Sequence, residues 1–206
     1  MIIECGPAHD RRIMTLELPK ASKVGVLTSG GVDSTLLYYL ALYLKYNNKT
    51  EHYIRPIVIL RKEGSRYFAR PVVQKINAIW KHTLAAIRLG NTTLPEHQQV
   101  KSAVEQAFGV FKFHHVYIGV ISTRDEHAVG IDIITVPDTP GVLVPFKHLE
   151  KSHVIDMYYQ LGIQELLKYT HSCDQHEQVP CGLCNGCRER AWGFAELEKI
   201  DPILEL

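Results

Sequence analysis

The apolar residues of this chain alternate between strand-like and helix-like spacing. Residues 23–28 begin with a charged side chain, continue through apolar positions and end at a glycine turn, which predicts a short buried strand. Residues 54–60 contain an unbroken apolar run, a pattern typical of parallel strands covered on both faces. A third strand is predicted over residues 116–121, and residues 131–136 form either a fourth short strand or an ordered loop.

Helical spacing separates these predicted strands. Apolar residues between positions 33 and 46 recur every three or four residues, which predicts a helix that ends at Asn47-Asn48. Further helices are predicted over residues 70–89, 98–108 and 150–161, with a tail helix over residues 185–199. Gly90 and Gly109 stop the first two of these, and Gly162 gives the third a left-handed exit.

The order strand, helix, strand, helix predicts crossover connections and a mostly parallel sheet with helices on both faces. The length of 206 residues suits a single α/β domain over residues 1–206. Ligands of such sheets bind at the carboxyl ends of the strands, where residues 28–34 lie. Residues 122–145 are the least regular stretch, and their prolines and glycine predict an active-site loop or lid.

Charge and composition argue against two classes of partner. The 23 basic and 22 acidic side chains are balanced, which disfavours a duplex-DNA binder held by a basic face. No apolar run approaches the roughly 20 residues of a bilayer span, and the first residues lack the layout of a signal peptide. We therefore expect a cytoplasmic protein with no membrane partner, in which Cys5 is a small buried or free thiol.

A glycine-rich turn follows the first predicted strand. Its residues are Ser29, Gly30, Gly31, Val32, Asp33 and Ser34. The two glycines allow backbone angles closed to other residues and let a ligand approach the main chain. The turn and the following helix direct N–H groups and the positive end of the helix dipole to one point, which favours an anion such as pyrophosphate. We expect these residues, with Leu27 at the strand end, to bind a nucleotide.

The polar side chains of this turn have separate expected roles. Ser29 and Ser34 supply hydroxyl donors, whereas Asp33 is expected to hold Mg²⁺, or a water on it, when nucleotide is bound. The alternative is a plain strand-to-helix turn in which Asp33 or Ser34 caps the helix. The string differs from the turns of P-loop NTPases and of dinucleotide-binding proteins.

Four of the five cysteines lie close together near the end of the chain, with the spacing C-x7-C-x2-C-x2-C. They are Cys173, Cys181, Cys184 and Cys187. Cysteines three residues apart bind a metal from one tight turn, which predicts a closed structural Zn²⁺ site over residues 173–187. An iron–sulfur cluster is the main alternative, although the common bacterial run would require a cysteine at Ala191. His171 and His176 are alternative zinc ligands.

The turn at residues 29–34 resembles the signature of the ATP-pyrophosphatase superfamily, also called PP-loop enzymes. That resemblance implies a Rossmann-like fold of the adenine nucleotide alpha hydrolase type. It also implies cleavage of ATP between its α and β phosphates. Enzymes of this superfamily adenylate a carbonyl or carboxyl oxygen and then displace AMP with a nitrogen or sulfur nucleophile.

Two further stretches resemble the 7-cyano-7-deazaguanine synthase family. The first is the tail, Ser172-Cys173 followed by residues 180–194 and then Asp201-Pro202. The second is residues 145–151, which precede a predicted helix and Leu161-Gly162. The resemblance implies that Lys151 faces the nucleotide phosphates; without it, Lys151 reads as a solvated lysine on the first turn of a helix.

Two loops depart from the family pattern. They cover residues 61–66 and 119–127, where the resemblance implies recognition of the deazaguanine base. Gly119 keeps its family position, and Asp125 lies one position out of phase with the family aspartate. Arg61, Lys62 and Arg66 are candidates for phosphates or an acidic substrate, or lie on a solvated loop. Asp125 and His127 are candidates for acid–base work, or are ordinary polar residues.

The resemblance implies an ATP-dependent C–N ligase that converts 7-carboxy-7-deazaguanine and ammonia to 7-cyano-7-deazaguanine through an acyl adenylate and an amide. Asp33 and Lys151 are its expected catalytic residues, with Zn²⁺ and ATP with Mg²⁺ as cofactors, and a homodimer as its assembly. A related alternative is a ligase that uses a different carboxylate or stops at the amide. A distant alternative is a zinc-ribbon nucleic-acid module, since Arg188, Arg190 and Trp192 follow the cysteines.

Overall fold

A computed structural model describes residues 1–20, 22–59, 68–91, 93–94, 96–123, 138–173 and 179–205. Two strands form an antiparallel hairpin, β1 (Ile2–Cys5) and β2 (Arg12–Thr15). Five strands form a parallel sheet in the order β5-β4-β3-β6-β7. These strands are β3 (Lys23–Leu27), β4 (Tyr53–Ile59), β5 (Ile87–Leu89), β6 (His115–Tyr117) and β7 (Val142–Leu143).

Five α-helices accompany the strands. They are α1 (Val32–Asn47), α2 (Ala69–Trp80), α3 (Glu96–Gly109), α4 (Lys151–Gln160) and α5 (Asn185–Ala195). Short 3₁₀ helices cover Gln164–Tyr169 and Pro202–Glu205. No helix within the described ranges combines the length and the apolar character needed to cross a bilayer.

The helices cover both faces of the parallel sheet. Apolar residues of α1, α2 and α4 pack with Val24 and Val26 of β3 in one core. Apolar residues of α3 pack with Leu27 and Ile57 in a second core on the opposite face. Because β3 presents alternate side chains to the two faces, the continuous apolar character of the strands is explained. The predicted α/β class is therefore confirmed.

The amino-terminal hairpin was not predicted. Its buried residues Cys5 and Met14 face the core, whereas Ile2 and Ile13 are exposed. The turn of the hairpin is fixed to α4, since the Gly6 N–H donates to Asp156 Oδ2 at 2.8 Å. Strands of four residues give too short an alternation to be recognised from sequence.

The prediction of one helix over residues 70–89 is wrong beyond Trp80. Lys81 adopts a left-handed conformation with φ of 50°, and the His82 N–H donates to Asn77 O at 2.8 Å, which ends the helix. Residues 87–89 instead pair with β4 as an edge strand. The alternation of Ile87 and Leu89 with an exposed Arg88 fits a strand, but only the pairing with β4 decides it.

The other predicted elements have mixed outcomes. The helices predicted over residues 33–46, 98–108 and 150–161 are confirmed with small shifts at their ends, and Gly162 has the expected left-handed φ of 67°. The tail helix ends at Ala195, before residue 199. The strand predicted over residues 116–121 is shorter, because the chain leaves the sheet after Tyr117. Strand β7 lies inside the stretch predicted to be irregular, and residues 131–136 lie outside the described residues.

Candidate functional site

The glycine turn connects β3 to α1 and is closed by its own serines. The Ser29 N–H donates to Ser34 Oγ at 3.1 Å, and the two serine hydroxyl oxygens are 2.9 Å apart. The Gly31 N–H donates to Ser29 Oγ at 3.3 Å. These bonds fix the path of the main chain, so the turn has a defined shape before any ligand binds.

Gly30 is required by close packing as well as by conformation. Its φ is 90°, and a Cβ atom there would lie 2.4 Å from both Ala69 N and the carbonyl carbon of Phe68. Gly31 is the N-cap of α1 and has no side chain to cap the helix. The alternative in which Asp33 or Ser34 caps the helix is therefore wrong, and the N-terminus of α1 opens on the turn.

Two further segments border the turn. A Cβ atom at Gly119, which follows β6, would lie 3.0 Å from Ser34 N. The His171 N–H donates to Gly30 O at 2.9 Å, and its ring stacks on Phe68 with centroids 3.7 Å apart. Sequence reasoning named Gly119 but assigned no role to Phe68, and treated His171 only as an alternative metal ligand.

Not every predicted nucleotide residue presents its side chain to the turn. Leu27 is buried in the core beneath α3, and Val32 is buried in the core on the opposite face. The Tyr158 hydroxyl donates to Val32 O at 2.7 Å, which anchors the first turn of α1. A nucleotide contact by Leu27 or Val32 stays a prediction, and it would involve their main-chain atoms.

Lys151 lies beside Asp33 of the glycine turn and is bound by two carboxylates. Its place beside the nucleotide phosphates stays a prediction. Its Nζ lies 2.6 Å from Asp33 Oδ2 and 3.1 Å from Glu189 Oε2. The lysine side chain is 5% exposed, so the interpretation of a solvated surface lysine is wrong. Asp33 is at the start of α1, Lys151 at the start of α4 and Glu189 on α5, so three helices meet here.

The charges of this trio respond to burial and to each other. Burial raises the pKa of Asp33 above its ordinary value, and the Lys151 ammonium offsets that rise only in part. Burial by itself would lower the pKa of Lys151, but the carboxylates of Asp33 and Glu189 raise it further than burial lowers it. Lys151 is thus a cation at neutral pH.

One oxygen of Asp33 has an unusual environment. Within the described part of the chain, Asp33 Oδ1 is buried and has no hydrogen-bond partner. A buried carboxylate oxygen without a donor is costly unless a ligand or ion completes it. This atom fits the oxygen chemistry that Mg²⁺ prefers.

Glu189 and Gly193 also belong to this site, although the sequence pattern assigns neither of them a role in it. They are four positions apart on α5 and so lie on one face of that helix. A Cβ atom at Gly193 would lie 2.8 Å from Lys151 Cγ, so the glycine lets α5 approach the lysine stem. In the sequence, a glycine four residues after a carboxylate is the only indication that α5 packs closely against another element. This spacing does not identify which helix lies opposite.

The four clustered cysteines converge as predicted. Each offers a sulfur, and these four sulfur atoms all lie within 4.8 Å of one another. The N–H groups of Leu183 and Cys184 donate to Cys181 Sγ at 3.4 and 3.2 Å. Those bonds lower the pKa of Cys181 to about 6, whereas burial raises the pKa of Cys187 to about 12. The set can hold a metal ion.

The spacing of the sulfurs bears on which metal fits. Tetrahedral zinc at about 2.3 Å from each sulfur places the sulfurs about 3.8 Å apart. Cys184 Sγ and Cys173 Sγ are 3.9 Å apart, which agrees with a single ion. A cluster of four irons and four sulfides would require wider separations. Cys5 stays outside this set as a buried free thiol, which confirms its predicted role.

Arg190 has a structural role. Its guanidinium binds Asp201 with both oxygens, Nε to Oδ2 at 2.5 Å and Nη2 to Oδ1 at 2.8 Å, and Nη1 donates to Thr170 Oγ1 at 2.8 Å. Arg190 is 4% exposed, so it is not accessible to a nucleic acid, whereas Arg188 is exposed.

Six other candidate residues lie outside the described residues. They are Arg61, Lys62, Arg66, Asp125, His127 and His176.

The protein is an α/β protein with a glycine turn after β3 of its parallel sheet. Near the end of the chain it has a cluster of four cysteines that could hold a metal ion. The family model described as queuosine biosynthesis protein QueC matches residues 96–198. A 7-cyano-7-deazaguanine synthase from Methanosphaerula palustris is 39% identical over 88% of this chain and 98% of that relative. The chain therefore belongs to the QueC family, whose curated relatives are named as synthases.

Other matches differ in their extent. The synthase from Chromobacterium violaceum is 39% identical over a stretch that covers 30% of this chain and only 26% of that relative. The synthase from Methanoculleus marisnigri is 26% identical over 88% of this chain and 97% of that relative. Among solved structures, the U34-tRNA thiolase NcsA from Methanococcus maripaludis with its 4Fe-4S cluster has a TM-score of 0.46. It is 16% identical over 88% of this chain and 68% of its own, too distant to bear on function.

Proposed function

We propose that this protein is an ATP-dependent C–N ligase that converts 7-carboxy-7-deazaguanine and ammonia to 7-cyano-7-deazaguanine. One observation carries the proposal. The buried Lys151 ammonium meets Asp33 at the end of the glycine turn, although 118 residues separate them in the chain. Membership of the QueC family supports the choice of substrate.

The nucleotide would bind at the carboxyl end of β3. Its β and γ phosphates would accept hydrogen bonds from main-chain N–H groups of residues 29–34 and lie at the positive end of α1. Asp33 would hold Mg²⁺ or a water on it, with the buried Oδ1 as the available ligand atom. Lys151 would neutralise the charge that develops as pyrophosphate leaves.

The chemistry would proceed through two activations. An oxygen of the substrate carboxylate attacks the α phosphorus, and the bond to pyrophosphate breaks, which gives an acyl adenylate. Ammonia attacks the acyl carbon, AMP leaves with the former carboxylate oxygen, and a proton passes to solvent. The resulting amide oxygen attacks the α phosphorus of a second ATP, and pyrophosphate leaves. AMP then leaves with the amide oxygen, and loss of both protons of the amide nitrogen gives the nitrile. The protein would contribute positioning and charge stabilisation.

The four cysteines would hold Zn²⁺ as a coordinatively closed site. Four thiolates bind zinc tightly and leave no position for substrate, so the ion would stabilise the tail rather than take part in the reaction. With the four clustered cysteines bound to that ion and Cys5 buried, transfer of sulfur by a cysteine of this chain is disfavoured.

A related ligase is the second candidate, because the loops at residues 61–66 and 119–127 depart from the family pattern. The test is incubation of the zinc-loaded protein with ATP, 7-carboxy-7-deazaguanine and ammonia, followed by mass spectrometry. We expect AMP, pyrophosphate and the nitrile. Release of AMP with accumulation of the amide would favour the second candidate. If no carboxylate supports AMP release, the protein is not such a ligase.

A further inference from the structure

Lys151 has more negative charge around it than it can neutralise. Asp33 and Glu189 both lie within ion-pair distance of its Nζ, at 2.6 and 3.1 Å. The two carboxylate side chains are 18% and 16% exposed, so solvent screens them only in part. When both carboxyl groups are ionised, two carboxylates and one ammonium leave an excess of one negative charge beside the glycine turn.

The second carboxylate is built into the packing of α5 against α4. Gly193, one turn after Glu189, removes the side chain that would collide with the stem of Lys151. Arg190, the residue directly after Glu189, is fixed by its paired bonds to Asp201. These contacts fix both the rotation of α5 about its axis and its distance from α4. The contact between Glu189 and Lys151 follows from that position of the helix.

The geometry gives Asp33 two competing uses. Its Oδ2 is bound to Lys151, whereas its Oδ1 is buried and lacks a partner within the described ranges. A carboxylate that also neutralises an ammonium is a weaker ligand for a cation, because the two positive charges repel each other. A second carboxylate on the same ammonium removes that conflict, since the lysine stays paired when Asp33 turns to a metal.

On the basis of the function proposed above, we propose that Glu189 is a positioning residue that holds Lys151 and thereby frees Asp33 for the Mg²⁺ of the bound nucleotide. Glu189 touches neither the nucleotide nor the metal in this scheme. It acts through Lys151, which keeps its place beside the phosphates while its bond to Asp33 lengthens.

The direction in which a substitution of Glu189 changes the affinity for Mg²⁺ and for metal-free nucleotide separates this role from simple structural support. The negative charge of Glu189 favours a divalent cation nearby and disfavours a nucleotide that carries no cation. Glu189→Gln keeps the size and a hydrogen-bond acceptor but removes the charge. We expect the Mg²⁺ concentration for half-maximal nucleotide binding to rise roughly five-fold, at the low end of coupling between adjacent sites. Binding of metal-free nucleotide should be unchanged or tighter.

The experiment is calorimetric titration of the full-length, zinc-loaded protein with α,β-methylene ATP over a series of Mg²⁺ concentrations. Wild type, Glu189→Gln and Glu189→Asp are compared, and the aspartate, which restores the charge, should recover most of the Mg²⁺ affinity. Glu196→Gln is the matched control, since Glu196 follows the same helix and pairs with His9 instead. Melting temperature and zinc content are measured on every sample.

Three results would overturn the inference. The first is an unchanged Mg²⁺ requirement in Glu189→Gln, and the second is an equal loss of metal-free and Mg²⁺-bound nucleotide affinity. The third is a fall in melting temperature or zinc content that accounts for the lost affinity. Failure of the proposed function is distinguishable, because wild type itself would then not bind the nucleotide analogue at any Mg²⁺ concentration.

Discussion

The glycine turn at residues 29–34 and the cysteine segment at residues 173–187 are stabilised in different ways. The glycine turn lies between a buried strand and a long helix, and its serines, Gly30 and the backbone of α2 fix one another. In the cysteine segment, Val179 and Leu183 are 71% and 70% exposed. The turn is thus held by packing, whereas we expect the cysteine segment to depend on a metal ion bound by its four sulfurs.

Helix α5 connects the two regions. Helix α5 begins in the cysteine segment, where Cys187 lies on its first turn, and continues to Glu189 and Gly193 beside Lys151. A metal that orders the cysteines therefore also sets the start of the helix that supports the lysine. Mutations in the two regions should have effects of different size and kind.

Loss of a metal ligand should have the largest effect. We expect Cys184→Ser to lower zinc content well below one ion per chain and to lower Tm by about 10 °C, because structural zinc contributes directly to folding free energy. Elemental analysis and thermal unfolding measure both quantities. Cys5→Ala is the control, since Cys5 is buried but distant from the cluster; it should keep full zinc. Full zinc in Cys184→Ser would contradict the four-sulfur site.

Removal of the lysine charge comes next. We expect Lys151→Met to reduce pyrophosphate release by about 10²- to 10³-fold, as for loss of one preorganised charge in an active site. Steady-state kinetics with excess ATP measure the effect. A rise in KM alone, with kcat unchanged, would show that Lys151 stabilises the bound substrate and the transition state equally and has no specific role in the transition state.

The same variant should have a stability that depends on pH. Without Lys151, Asp33 faces Glu189 with no cation, so the pKa of Asp33, already raised above its ordinary 3.8 by burial, rises further. A carboxyl with a raised folded-state pKa loses stability as pH rises through that pKa. The deficit relative to wild type should be small near pH 4 and largest at neutral pH. Adding Asp33→Asn should remove this pH dependence in chemical unfolding.

The turn should be sensitive at Gly30 and tolerant at Gly31. Gly30→Ala should destabilise by about 3 kcal/mol, because its Cβ would lie 2.4 Å from the backbone of α2 at a φ of 90°. Gly31→Ala, with a φ of −74° and its nearest contact at 3.4 Å, should cost roughly 0.5 kcal/mol. Urea unfolding measures both, and equal losses would mean that the turn is not packed against α2 as described.

The smallest effect is expected at the buried arginine. Arg190→Lys should destabilise by about 2 kcal/mol, because one ammonium cannot replace the paired bonds to Asp201 and those to Thr170. Arg188→Lys on the exposed face of α5 should change the free energy of unfolding by less than about 0.5 kcal/mol. Urea unfolding of the zinc-loaded protein measures the free energy of unfolding of both variants. An equal loss in Arg190→Lys and Arg188→Lys would contradict the buried ion pair between Arg190 and Asp201.

Local pattern was sufficient for much of the fold. Apolar runs and capping glycines indicated β3, β4, α1, α3 and α4 within a few residues, because each has a strong period and a clear stop signal. Strand β5 was mistaken for the end of a helix, since three residues carry too little periodicity and the pairing with β4 is non-local. The hairpin and β7 were missed for the same reason.

The glycine turn and the cysteine spacing can be recognised from the sequence, because both are local features and residues a few positions apart can fold into only a few arrangements. The surroundings of these two features depend on tertiary packing. It brought Lys151 to Asp33, placed Glu189 on that lysine, buried Arg190 against Asp201 and set Phe68 on His171. These pairs come from different elements, and their distances depend on how the helices pack on the sheet, which no local pattern encodes.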